Sequence, residues 1–243
     1  MTDSSFQRRH DALRQTDPEF VEWFTRFARD EVTAHGQVDV HTRQLVRLAA
    51  LLACQARVEF RETAEVALDD GLTPVELKEL VYQATPYLGV GKVRDFLEIS
   101  NEVLAARGVA LPLEPRGTVT PDTRRDQGWK AQTTIFGETP IRAMHDAATE
   151  ETRWVQEWLT ANCFGDHYTR DGIDLRTREL LTLVLLISHG GCDAQVRGHV
   201  AGNVNVGNDR GVLLAVLSQL VPYIGYPRTL NGLAAINEVA PAQ

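Results

Sequence analysis

The sequence predicts an all-α chain made of two copies of one helical unit. Three observations carry that expectation: an internal repeat that keeps its register, helix starts marked by a capping residue and a proline, and the lack of a convincing alternating strand pattern. VDVHTRQL at 38–45 matches IDLRTREL at 173–180, PYLG at 86–89 matches PYIG at 222–225, and NEV at 101–103 matches NEV at 237–239. The offset is 135 residues before SHGGC and 136 after it, so the second copy carries one added residue there.

The first copy is assigned to residues 1–110 and the second to 122–243. Between them, LPLEPRGTVTP at 111–121 holds three prolines and a glycine, which forbids a continuous helix and predicts an extended linker. Asp17 followed by Pro18 predicts an N-cap with proline at the first helical position. Thr73, Pro74 and Glu76 predict a capping box, and Leu77, Leu80, Val81 and Ala84 continue it at helical spacing. Pro86 and Pro222 are expected to kink or end their helices. In the second copy a helix runs from Asp174, its N-cap, to Ser188. His189, Gly190 and Gly191 then reverse the chain into a helix that begins at Cys192.

Composition narrows the function classes. With 43% hydrophobic residues, 24% charged and a net charge of −8, the chain lacks the clustered cations that nucleic acid or an anionic membrane requires. No apolar run reaches the roughly 20 residues of a membrane span. The longest, LLTLVLLI at 180–187, is broken by Thr182 and reads as a buried helix. The N-terminus has no hydrophobic signal core, and Cys54, Cys163 and Cys192 form no disulfide framework, so a reducing cytoplasm is expected. No phosphate loop, H-E-x-x-H or serine elbow occurs.

The copies differ where chemistry is expected. Glu179, Cys192, Gln195 and His199 stand opposite Gln44, Ala56, Glu59 and Thr63, while the scaffold residues are retained. This predicts one reactive copy and one degenerate one. The i, i+3, i+7 spacing puts Cys192, Gln195 and His199 along one helix face. An antiparallel pairing across Gly190 and Gly191 would bring Glu179 to the height of His199. A helix N-terminus at Cys192 favours a thiolate. Arg178 and Asp174 recur in both copies and read as cap and ion-pair residues, with a substrate carboxylate as the alternative partner of Arg178. Tyr223 lies in the shared PYxG motif and reads as packing or as substrate contact. Glu179 either serves His199 or pairs with Arg176 or Arg178. Cys163, His167 and His145 read as structural or exposed.

These residues resemble the carboxymuconolactone decarboxylase family, which also contains the alkylhydroperoxidase D-like proteins. The resemblance covers about residues 5–108 and 125–240. It rests on DLRTRELLTL, GGCDAQVRGH, the NVGND turn and PYIGYPRTLNGLAAINEV, with DGLTPVELKELVYQATPYLG in the first copy. It implies the all-helical alkylhydroperoxidase D-like fold, association into trimers or hexamers, and no metal or organic cofactor. A tandem chain would then form a homotrimer imitating a hexamer of single-copy subunits. The redox branch carries C-x-x-C-x-x-x-H with an upstream glutamate. Glu179, Cys192 and His199 fall on three of those positions, but Gln195 replaces the second cysteine, so the local disulfide cycle cannot run. The expectation is a cofactor-independent carboxy-lyase acting on a small carboxylated lactone or unsaturated acid. Glu179, Cys192 and His199 are its candidate catalytic residues, and Gln195, Arg178 and Tyr223 its candidate substrate-binding residues. A single-cysteine peroxidase or thiol oxidoreductase, and a non-catalytic ligand-binding scaffold, are the alternatives.

Overall fold

Helix starts in this chain are set by short local signals, and the same signals recur in both copies. A computed structural model describes residues 13–242; residues 1–12, which include the expected start of the first copy, lie outside the described residues. Among the described residues all regular structure is helical and no strand occurs. Helix α1 (Pro18–Thr25) widens into π-type turns over Arg26–Glu31 and closes with Val32–His35. Asp17 does sit at its N-cap position, but its carboxylate takes the Thr16 hydroxyl at 2.6 Å instead of a helix N–H. Helix α2 (Val40–Ala53) starts where the Asp39 carboxylate accepts the Thr42 N–H at 2.9 Å. Helix α3 (Arg57–Asp69) follows, and α4 (Pro74–Leu88) opens on the expected capping box. Thr73 Oγ1 accepts the Glu76 N–H, and Glu76 Oε2 accepts the Thr73 N–H at 2.8 Å.

Pro86 does not end α4. The helix runs to Leu88 and breaks at Gly89, whose φ of 77° only glycine adopts without strain, before α5 (Val90–Ala106) begins. The proline removes a single helical hydrogen bond, that to the Tyr82 carbonyl, and the His167 ring bonds to the Tyr82 backbone in its place. One lost bond with a substitute partner is too little to terminate a packed helix.

After the irregular stretch 107–123, α6 (Arg124–Phe136) and α7 (Glu138–Asp146) form a hairpin turned at Gly137. This pair lies inside the segment assigned to the second copy, yet it has no counterpart among the described residues of the first. Helix α8 (Arg153–Trp158) runs on through π-type turns over Leu159–Tyr168. Helix α9 (Leu175–His189) is capped by Asp174, which accepts the Thr177 N–H at 2.7 Å. Helices α10 (Asp193–Asn205) and α11 (Arg210–Val239) complete the chain. Helix α11 passes through Pro222 and breaks at Gly225, φ 74°, the position equivalent to Gly89.

Helices α2 and α9 pack against each other at the centre, flanked by α4 and α11. Both are buried over most of their length, including Leu45, Leu48, Leu52, Leu181 and Leu185. Each buried leucine contributes about 2 kcal/mol of transfer free energy, which explains why LLTLVLLI forms a core helix with no polar face. The α6–α7 hairpin leans on the 159–168 segment at a glycine contact. A methyl group on Gly128 would stand 2.0 Å from the Thr160 carbonyl oxygen, and one on Gly165 would stand 2.2 Å from that of Arg124. Only the two glycines let these backbones touch, and that contact holds the hairpin as a roof over one end of α10.

Candidate active site

Gly190 and Gly191, at φ 76° and 73°, turn the chain from α9 into α10. The antiparallel pair then brings the His199 ring against the Glu179 carboxylate, Nδ1 to Oε1, at 2.6 Å. Glu179 is fully buried and His199 is 8% exposed. A carboxylate at Nδ1 draws the imidazole proton to that nitrogen, so Nε2, which makes no hydrogen bond among the described residues, is the atom left for chemistry. Tyr87 and Phe136 hold the ring edge-on from two sides, with centroids at 5.5 and 5.3 Å.

Behind this pair the hydrogen bonds all run one way. Arg178 donates to Gln83 (3.2 Å), and Gln83 donates to the Thr182 hydroxyl (3.1 Å). Thr182 lies 2.9 Å from the Tyr168 hydroxyl, and Tyr168 donates to Glu179 Oε2 at 2.8 Å. Tyr87 donates to the Tyr168 oxygen at 2.9 Å and accepts the Cys163 thiol at 3.6 Å. Since Tyr168 spends its one proton on Glu179, Thr182 must donate to it. Every donor therefore points toward Glu179, which is what an ionised carboxylate requires at a fully buried position. Gly202 makes room for it: a methyl group there would stand 2.5 Å from Glu179 Oε1.

A cavity of about 710 Å³ opens in front of His199. Cys192, Gln195 and His199 line it together, as their spacing predicts, and Glu179 stands directly behind the imidazole. Gln195 is exposed at the rim. Cys163 also lines the cavity instead of serving only as packing, and burial pushes its thiol up to about 12. Burial likewise holds the Tyr87 and Tyr168 phenols well above the usual range, so both remain neutral donors. Pro86 and Tyr87 come from the first copy, while Gln132, Phe136, Ile141 and Met144 come from the α6–α7 hairpin. The cavity thus lies within one chain, between its copies. Among the described residues no three His, Cys, Asp or Glu side chains gather as a metal site.

Two expectations need correction. The thiolate expected at Cys192 is opposed by its surroundings. The thiol is the N-cap residue of α10 but donates to the Leu186 carbonyl at 3.3 Å, and burial and then the Asp193 carboxylate push its pKa up. Alkylation of Cys192 by iodoacetamide, followed by peptide mass spectrometry, is expected to rise with pH only above the range of a free cysteine. A midpoint below that range would restore the thiolate. Second, Arg178 and Tyr223 do not line this cavity. Arg178 is fully buried and donates to Glu79 Oε2 at 2.8 Å. Tyr223 lies under Arg47 (5.7 Å) and edge-on to Phe24 (6.2 Å). Arg47 is the repeat equivalent of Thr182, so Tyr223 occupies the degenerate copy's version of the site, where Gln44 bonds Asp70 at 2.6 Å. Each copy's PYxG tyrosine faces the other copy's centre, and the tyrosine beside His199 is Tyr87. The repeated PYxG motif was the available signal for Tyr87; Tyr168 and the hairpin left none.

The sequence profile described as "Carboxymuconolactone decarboxylase family" matches residues 18–102 and 155–238. The 4-carboxymuconolactone decarboxylase of Acinetobacter baylyi is 32% identical over 98 residues, covering 40% of this chain and 73% of that protein. The two matched regions span most of the chain and one falls within each copy, so the chain is a tandem member of the carboxymuconolactone decarboxylase family.

Proposed function

We propose that the protein is a cofactor-independent carboxy-lyase for a small carboxylated lactone or related unsaturated acid. The observation that carries this reading is the buried Glu179–His199 pair whose unbonded Nε2 accompanies a 710 Å³ cavity between the copies. Loss of CO2 from such a substrate leaves the bonding electrons in a conjugated enolate, and the product carbon then takes one proton. His199, oriented by Glu179 and entering the step as the imidazolium, gives that proton from Nε2, keeps the one on Nδ1 and takes the next from solvent. The Gln195 amide is the neutral donor on the same face, suited to the developing oxyanion and to orienting the substrate; the Cys192 thiol adds to it only by exchanging its bond to the Leu186 carbonyl for one to the substrate. Phe136, Ile141 and Met144 supply an apolar roof that limits water. The activity for which the Acinetobacter baylyi relative is named supports this choice of substrate class. The test is CO2 release from 4-carboxymuconolactone by purified protein: turnover supports the reading, while binding without turnover turns it toward a ligand-binding scaffold. The single-cysteine peroxidase alternative is disfavoured by the upward-shifted Cys192 thiol and its bond to the Leu186 carbonyl.

The same reading includes a homotrimer with pseudo-hexameric symmetry. Phe20 and Trp23 on α1 and their repeat equivalents Val155 and Trp158 on α8 are exposed apolar side chains in matching places. Such paired patches suit a head-to-tail ring in which each chain offers both. Light scattering is expected to give a mass of three chains; a monomer mass would remove this part.

A further inference from the structure

A second cavity, of about 370 Å³, lies beneath the segment that joins the copies. Its floor is cationic. Lys78 is 8% exposed, and its one hydrogen bond among the described residues is to Asn101 at 2.7 Å. Arg170 lies beside it, and both cations sit over the Tyr82 ring, at 4.9 Å for Arg170 and 5.4 Å for Lys78. The buried carboxylate here, Glu79, is already shared. Arg170 grips both its oxygens through Nε and Nη2, and Arg178 also bonds Oε2 at 2.8 Å. Two cations thus share a single buried acid, and Lys78 beside them has no carboxylate within salt-bridge reach among the described residues. Burial accordingly pulls the Lys78 pKa down. On the linker, Glu114 and Arg116 offset each other, so they do not correct the excess.

Surplus positive charge at a buried site is costly unless an anion meets it. The linker adds apolar lining through Leu111 and Leu113, with Val75 beside Lys78 on α4. A cavity with a net cationic floor and apolar lining suits an organic anion better than a hydrated inorganic ion.

We propose that this cavity is a second ligand site, separate from the His199 cavity, which binds a small organic carboxylate through Lys78 and Arg170 with its apolar body against the linker. The inference is independent of the lyase reading, since it rests on charge and cavity alone. The experiment is calorimetric titration with benzoate, and with inorganic phosphate as comparator, of the wild-type protein, Lys78→Met and His199→Ala. The expected result is benzoate binding by wild type and His199→Ala, weakened at least tenfold in Lys78→Met, with weaker binding of phosphate. Benzoate should also protect Lys78 in the wild-type chain from acetylation by acetic anhydride, read by peptide mass spectrometry, which needs no variant to fold. No protection of Lys78, unchanged affinity in Lys78→Met, loss of binding in His199→Ala alone, or tighter binding of phosphate than of benzoate would each overturn the proposal.

Discussion

Replacing His199 by alanine is expected to lower kcat on 4-carboxymuconolactone by about 10²- to 10⁴-fold, the usual worth of a positioned general acid or base, with a much smaller change in KM. The ring is held from three directions: Glu179 on Nδ1, and Tyr87 and Phe136 packed edge-on against it. A side chain so constrained has its reactive nitrogen placed before substrate arrives, which is what makes proton delivery effective. Removing the ring enlarges the cavity without disturbing the backbone turn at Gly190 and Gly191, so circular dichroism should report an unchanged helix content. Full activity in His199→Ala would remove its assignment as the proton donor.

The largest effect on stability is expected at Glu79, far from that ring. Glu79→Ala leaves Arg178, which is fully buried, and Arg170 without their shared carboxylate. Breaking a buried ion pair from one side costs about 3–5 kcal/mol, because the stranded charge keeps its desolvation penalty. Arg178 retains the Arg170 carbonyl at 2.7 Å and the Gln83 amide, which soften the loss without neutralising the charge. Urea unfolding should show a lower midpoint at an unchanged slope. A loss below about 1 kcal/mol would mean that the cluster is screened like a surface pair, and would also weaken the charge argument made for the linker cavity.

What could be read from the sequence was local. The Asp39 and Asp174 caps, the Thr73 capping box, the Gly190–Gly191 reversal and the shared face of Cys192, Gln195 and His199 each depend on residues within a turn or two of one another. What escaped depends on how the copies meet. Helix α4 of the first copy packs on α9 of the second, and this carries Tyr87, not Tyr223, to the imidazole. Tyr168 reaches Glu179 from π-type turns that no spacing rule announces. The α6–α7 roof lacks a repeat partner among the described residues, and its contact with the 159–168 segment rests on two glycines with no motif around them. The helix N-terminus at Cys192 is a local effect, and it is outweighed by the Leu186 carbonyl that receives the thiol proton and by the burial that opposes charge. Arg178 looked available for a substrate because its acid, Glu79, stands 99 residues earlier in the chain.

The central claim is that His199 passes a proton to a carbon of the enolate that CO2 leaves behind, inside the cavity shared by the two copies. Turnover of 4-carboxymuconolactone in D2O tests it most directly, with CO2 and product deuterium measured in the same sample. The account predicts one CO2 per substrate and one deuterium per product in a single configuration. Intact substrate, or product deuterated without stereochemical preference, would contradict it.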